Sequence, residues 1–110
     1  MPYRVKLTET AHEIISHFHP DLRKLTRRAL REVAQNPLLG KELQQELEGY
    51  LSYRFNRYRA IYTVNDAEEL IVVHLVWHRN NVYDLLESLI PAQQAKKGQK
   101  KPLGSGEKNR

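Results

Sequence analysis

The hydrophobic rhythm of this 110-residue chain changes at Gly49. From residue 9 up to that point, apolar side chains recur three and four residues apart. Beyond it they recur at every second position: Leu51, Tyr53 and Phe55 alternate with Ser52, Arg54 and Asn56, then Tyr58, Ala60, Tyr62 and Val64 with Arg59, Ile61 and Thr63. The first spacing lines one side of a helix and the second lines one face of a strand. Asn65-Asp66-Ala67-Glu68-Glu69 is a polar hairpin connection, and Leu70 to Trp77 is the most apolar strand segment. The second half therefore reads as an antiparallel meander with one face for the earlier helices to cover.

Before the switch, residues 3–7 set Tyr3, Val5 and Leu7 against Arg4 and Lys6, which predicts a first strand joining the sheet elsewhere. Thr8 or Thr10 can cap a helix starting near Glu9, and Thr10 to Glu13 has the capping-box spacing. That helix aligns Ala11, Ile14, Ile15 and Phe18 before His19-Pro20 interrupts it. Leu22, Leu25, Ala29, Leu30 and Val33 predict a longer second helix with Asp21 at its positive end, stopping at Asn36-Pro37 with Gly40 reinforcing the break. Leu43 and Leu47 mark a short third helical segment, and Tyr83 to Ile90 a terminal helix too short to persist without docking. The expected fold is α+β: an antiparallel sheet of about four strands with two N-terminal helices packed on one face. Residues 1–90 form this domain. Residues 91–110 follow Pro91, lack apolar periodicity, and are expected to be a flexible basic C-terminal tail.

Charge is distributed unevenly between these parts. The net +5 belongs to residues 91–110, which hold six Lys or Arg against Glu107, while residues 1–90 carry twelve of each sign. An anion-binding role for the domain must therefore rest on local segregation. The absence of cysteine excludes disulfides and thiolate metal sites. His12, His17 and His19 lie near the first helix without a metal-binding helix signature, so neither metal nor cofactor is expected. Met1 to Lys6 is no apolar leader and no run reaches the roughly 18 residues of a membrane span, so a cytoplasmic protein without membrane contact is expected.

Residues 50–64 hold Arg54, Arg57 and Arg59 and no Asp or Glu. Planar guanidinium groups there suit phosphate oxygens, or surface carboxylates brought from elsewhere. A second basic run, Arg23-Lys24 and Arg27-Arg28-Arg31, follows the second helix and equally fits phosphate contact or a solvated face. After the apolar strand comes His78-Arg79-Asn80-Asn81-Val82-Tyr83. His78 and Tyr83 are groups that can move or position a proton, and Arg79 one that can stabilise phosphate charge; the same residues can end a core with polar tips and a surface ion pair. His74, inside the apolar strand, reads as a structural residue at the edge of the packed layer.

The stretch Asn36-Pro37-Leu38-Leu39-Gly40-Lys41, followed by Leu47-Glu48-Gly49, Tyr58-Arg59-Ala60-Ile61-Tyr62 and His78-Arg79-Asn80-Asn81-Val82-Tyr83, resembles the RelE/ParE family of type II toxins. The resemblance implies a compact toxin blocked by a cognate antitoxin protein, with operator DNA bound only through the toxin–antitoxin complex. In the RelE-like branch it implies messenger-RNA cleavage on the ribosome, by attack of a 2′-oxygen on the adjacent phosphate and without a metal. Arg59, Arg79 and Tyr83 match the family's positions in the tyrosine-arginine strand motif, at the end of the last strand and in the valine-tyrosine motif. His78 is a further proton-transfer candidate, with Arg54 and Arg57 for RNA binding. The alternatives are a ParE-like inhibitor of DNA gyrase and a catalytically degenerate binding protein.

Overall fold

The structure, a computed structural model, describes residues 2–90; the expected basic tail lies outside the described residues. Strand β1 (Arg4–Leu7) leads into helices α1 (Glu9–Ser16) and α2 (Pro20–Gln35). The two-residue strand β2 (Lys41–Glu42) follows, then β3 (Leu51–Phe55), β4 (Tyr58–Asn65), β5 (Leu70–His78) and helix α3 (Val82–Leu89). The sheet order is β1-β5-β4-β3-β2. From β5 to β2 all neighbours are antiparallel, as the meander requires, whereas β1 runs parallel to β5 along Arg4↔Leu70 to Leu7↔Val73.

The sheet thus has five strands rather than about four, and it is mixed rather than antiparallel throughout. β2 was invisible to periodicity because Lys41 and Glu42 are both exposed and too few to alternate. The segment around Leu43 and Leu47 is only a short 3₁₀ turn over Gln45–Leu47, entered through Gln45 in the left-handed region (φ 58°). Thr8, not Thr10, caps α1: its hydroxyl accepts from Ala11 N at 3.1 Å. Pro20 opens α2, where its missing N–H leaves no bond unmade, and the His19 side chain accepts from Asp21 N.

Cross-strand partners define the two faces. Val5, Tyr53, Ala60, Tyr62, Val64, Ile71, Val73 and Val76 share one face, which α2 and most of the α1 stripe cover through Ala11, Ile15, Phe18, Leu30 and Val33. Ser52, Arg54, Arg59, Ile61, Leu75 and Trp77 share the other. There α3 docks Val82 and Leu86, with Ile90 just after it, against Ile61 and Leu75, joined by Leu47 from the 3₁₀ turn. This burial stabilises a helix that would be marginal alone.

Tyr62, fully buried, fastens the irregular connection between α2 and β2. Its hydroxyl donates to Pro37 O at 2.7 Å and accepts from Gly40 N at 2.9 Å. Burial raises this phenol above its usual value, keeping it the neutral donor that Pro37 requires. A Cβ added at Gly40 would stand 2.5 Å from the Tyr62 oxygen, so the close approach demands glycine there. Replacing Tyr62 by Phe leaves a backbone donor and acceptor without their partner, at a cost of about 1–3 kcal/mol. Denaturant unfolding of Tyr62→Phe should show a lower midpoint with an unchanged slope; an unaltered midpoint would show that the clasp contributes nothing.

Candidate phosphate-binding face

The face carrying α3 concentrates the chain's polar chemistry at one end of the sheet. The register sets Arg54 directly opposite Arg59, so two guanidinium groups leave the same face from adjacent strands. Such a like-charge pair is unfavourable unless something compensates it. The ion pairs among the described residues are His17–Glu13 and His19–Asp21, so Arg54, Arg57, Arg59 and Arg79 have no carboxylate partner within them. The acids of the β4–β5 connection, Asp66, Glu68 and Glu69, sit at the far end of these strands, beyond the Asn65↔Leu70 pair. These four arginines and those three acids therefore lie at opposite ends of the β4–β5 pair.

A buried hydroxyl organises this end. Ser52, 2% exposed, accepts from Arg59 Nη1 at 3.0 Å and from Tyr83 OH at 3.1 Å. Two donors use both acceptor lone pairs of the serine oxygen. The Arg59 guanidinium carbon also lies 5.8 Å from the centre of the Tyr83 ring, close enough for a cation–π contribution. Strand β4 supplies Arg59, β3 supplies Ser52, and the first turn of α3 supplies Tyr83. Arg79 is exposed in the turn joining β5 to α3, where its backbone N–H donates to Arg57 O at 2.8 Å and ties that turn to the tip of the β3–β4 hairpin.

Arg59 and Tyr83 are thus brought together, with Arg54 beside Arg59 and with Arg57 and Arg79 joined at the adjoining hairpin tip. The structure does not bring His78 into this group. Its ring stands 5.5 Å from that of Tyr58, its cross-strand partner, in an edge-to-face contact on the helix-covered side. Ser52 was not singled out in the sequence, where it is one of the polar residues alternating with Leu51, Tyr53 and Phe55. The available signal was the apolar stripe of the terminal helix, which needed a docking face and so implied that some polar side of a strand would be covered.

His74 also lies on this side, as the extra residue of an irregularity that pairs Ile61 with Leu75 and Tyr62 with Val73. Its Nε2 is 3.0 Å from Thr63 Oγ1 and its ring meets Tyr50 edge-on at 5.2 Å. Burial holds His74 below its ordinary value of 6.5, so the folded chain keeps it neutral.

A family model described as the ParE toxin of the type II toxin–antitoxin system parDE matches residues 5–83. The chain belongs to this RelE/ParE family of type II toxins. Toxin RelG of Mycobacterium tuberculosis is 34% identical over 85 residues, which span 76% of this chain and 98% of that protein. In the M. tuberculosis toxin–antitoxin complex RelBE2, a chain 32% identical superposes with a TM-score of 0.67, covering 72% of this chain and 93% of that one. A free-state mutant of the E. coli toxin RelE shares the fold at a TM-score of 0.66 and 19% identity, over 81% of this chain and 96% of that one. The two-helix cover and strand meander are therefore the RelE/ParE arrangement.

Two measurements probe this face of the toxin. In a double-mutant cycle of Ser52→Ala and Tyr83→Phe followed by unfolding, each single change should cost about 1 kcal/mol and the pair less than the sum, because they break one shared bond; strict additivity would mean that the bond is not energetically coupled. For His74, the sign follows from its lowered folded value: stability is fully present above the unfolded 6.5 and is lost as pH falls through the lower folded value. The unfolding midpoint should drop more for wild type than for His74→Gln between about pH 7.5 and pH 5.5. Equal drops would remove His74 as the cause.

Proposed function

We propose that this toxin cleaves messenger RNA on the ribosome without a metal, and that a cognate antitoxin restrains it. The observation that carries the reading is the convergence of Arg59 and Tyr83 on the buried Ser52 hydroxyl, on a face where Arg54 and Arg59 stand side by side without a carboxylate partner among the described residues. A phosphodiester supplies the negative charge this face lacks. Arg54 and Arg59 grip the phosphate oxygens and Arg57 extends the contact along the RNA backbone. Attack by the 2′-oxygen forms a new P–O bond as the bond to the 5′-oxygen breaks. Arg79 neutralises the charge that grows on the phosphorus oxygens. Tyr83, aimed by Ser52, positions the attacking 2′-hydroxyl; its proton passes to solvent water and the departing 5′-oxygen takes one proton from water, so the products are a 2′,3′-cyclic phosphate and a 5′-hydroxyl. His78, facing Tyr58 on the other side of the sheet, is assigned no proton transfer here.

The antitoxin partner is supported by the relatives solved as toxin–antitoxin complexes. The match to a family model described as a ParE toxin favours a second reading, inhibition of DNA gyrase through a binding surface.

Cleavage of message on programmed bacterial ribosomes, measured in single turnover at saturating toxin, separates these readings. Arg79→Ala should lower the saturated rate about 100-fold, the scale expected for one lost charge-stabilising group, while His78→Ala stays near wild type. A folded Arg79→Ala that cleaves at the wild-type rate removes Arg79 from the chemistry. A wild-type chain that leaves message intact yet blocks supercoiling by gyrase makes the second reading correct.

A further inference from the structure

Trp77, the chain's one tryptophan, stands in the row of the sheet that carries the reaction-face arginines. The register pairs Arg54 with Arg59 and Arg59 with Trp77, so the three side chains leave one face from β3, β4 and β5 in turn. Neighbouring strands lie about 4.7–4.9 Å apart, which sets each of these positions one strand step from the next. The adjoining row, Ile61 with Leu75, is the seat of α3. Trp77 lies two residues beyond Leu75, at the border between that covered seat and the hairpin tip that holds Arg57 and Arg79.

Packing accounts for part of this indole. Trp77 rests against the cluster of Ile61, Leu75, Val82 and Leu86, together with Tyr83 and Leu85, yet it is half-buried and keeps part of its surface in solvent. Its indole N–H has no hydrogen-bond partner among the described residues, although a tryptophan in such a place is ordinarily anchored through that group. Beside it, Arg54 and Arg59 have no carboxylate partner among the described residues. A flat aromatic next to uncompensated guanidinium groups is the combination that binds single-stranded nucleic acid: the cations take the backbone, and the ring takes a base that is free to turn out and stack. Contacts one strand step apart are within reach of a single nucleotide, whose phosphate and base are joined through one sugar. An acidic protein segment would use the arginines and give the ring no such counterpart.

We infer that Trp77 is a base-stacking platform, holding the base of a nucleotide that flanks the bond to be cut while Arg54 and Arg59 hold the phosphate. The inference rests on the RNA-cleavage reading and adds to it the surface that orients the strand. Every base has a π-face, so this contact registers the presence of a base and not its identity. Fixing that nucleotide beside Arg59 also restrains the approach of the 2′-oxygen to phosphorus.

The test crosses protein variants with substrates. Message on programmed bacterial ribosomes is supplied intact or with an abasic residue at either nucleotide flanking the cleaved bond, and kcat/KM is taken from the dependence of the single-turnover rate on toxin concentration. Trp77→Leu should cut intact message about 10-fold less efficiently than wild type, within what one stacked base contributes. Trp77→Phe should recover most of that loss. At one of the flanking positions, removing the base should cost wild type the same factor and cost Trp77→Leu nothing more, because the two changes delete one contact. A merely structural tryptophan would give the same Trp77→Leu loss on every message, and that result overturns the inference. So does a wild type indifferent to both bases, or a folded Trp77→Leu that cuts intact message as wild type does, whatever becomes of its antitoxin binding. Where the wild type cuts no message or Trp77→Leu does not fold, wild-type fluorescence decides, since Trp77 is its one tryptophan. A short single-stranded 2′-O-methyl RNA should quench it, and an abasic strand of equal length should quench it far less. That difference in a chain that cuts no message sustains the platform while rejecting the cleavage reading; equal responses, or none, overturn the platform.

Discussion

A one-residue mismatch between the two longest strands sets which side chains share a face. β5 has nine residues opposite the eight of β4, and the surplus is absorbed at His74, between the Tyr62↔Val73 and Ile61↔Leu75 pairs. Strict alternation from Ile71 and Val73 would put Leu75 and Trp77 under the helices and His78 beside Arg59. The bulge reverses that phase. Val76 joins the helix-covered core, Leu75 becomes the platform for α3, and His78 turns to Tyr58. Because α3 is seated on Leu75 and Ile61, the bulge also fixes where Tyr83 meets Ser52.

Two buried hydroxyls then hold what hydrophobic packing alone would leave loose. Tyr62 ties the connection after α2 to one side of the sheet through Pro37 and Gly40, and Ser52 ties an arginine and a tyrosine together on the other. Both come from segments that alternate in sequence, yet they do opposite jobs: one polar tip reaches out of the core to capture backbone, and the other is a covered acceptor for side chains. Each is satisfied by two partners, which is what makes burying it tolerable.

The helices, the meander and the terminal helix were legible because their apolar spacings are long and regular, and because Asn36-Pro37 and the polar run at residues 65–69 punctuate them. The parallel placement of β1 was not, since four alternating residues do not say which edge they join. The phase of β5 was hidden for a related reason. Apart from His74, Leu70 to Trp77 is apolar on both faces, and one histidine read as a structural residue at the edge of the packed layer did not mark a slip in alternation. Arg59 and Tyr83 could be singled out by residue type and motif, whereas Ser52 became visible only once α3 was seen to lie over it. His78 looked like their neighbour because it is close in sequence, and the extra residue at position 74 separates them in space.

The polarised charge follows from the same geometry and bears on how such a surface is controlled. Gathering Arg54, Arg57, Arg59 and Arg79 at one end, with Asp66, Glu68 and Glu69 at the other, forgoes the short-range pairing that a mixed arrangement would allow. Mutual repulsion among the arginines disfavours the folded state, and any anion that binds the folded face alone offsets it by mass action. An RNA phosphate and an acidic protein segment both meet that description, so they compete for one electrostatic deficit even where their other contacts differ. Under the proposed function, inhibition needs no distortion of the Arg59–Ser52–Tyr83 cluster: covering the arginines is enough to exclude an RNA strand.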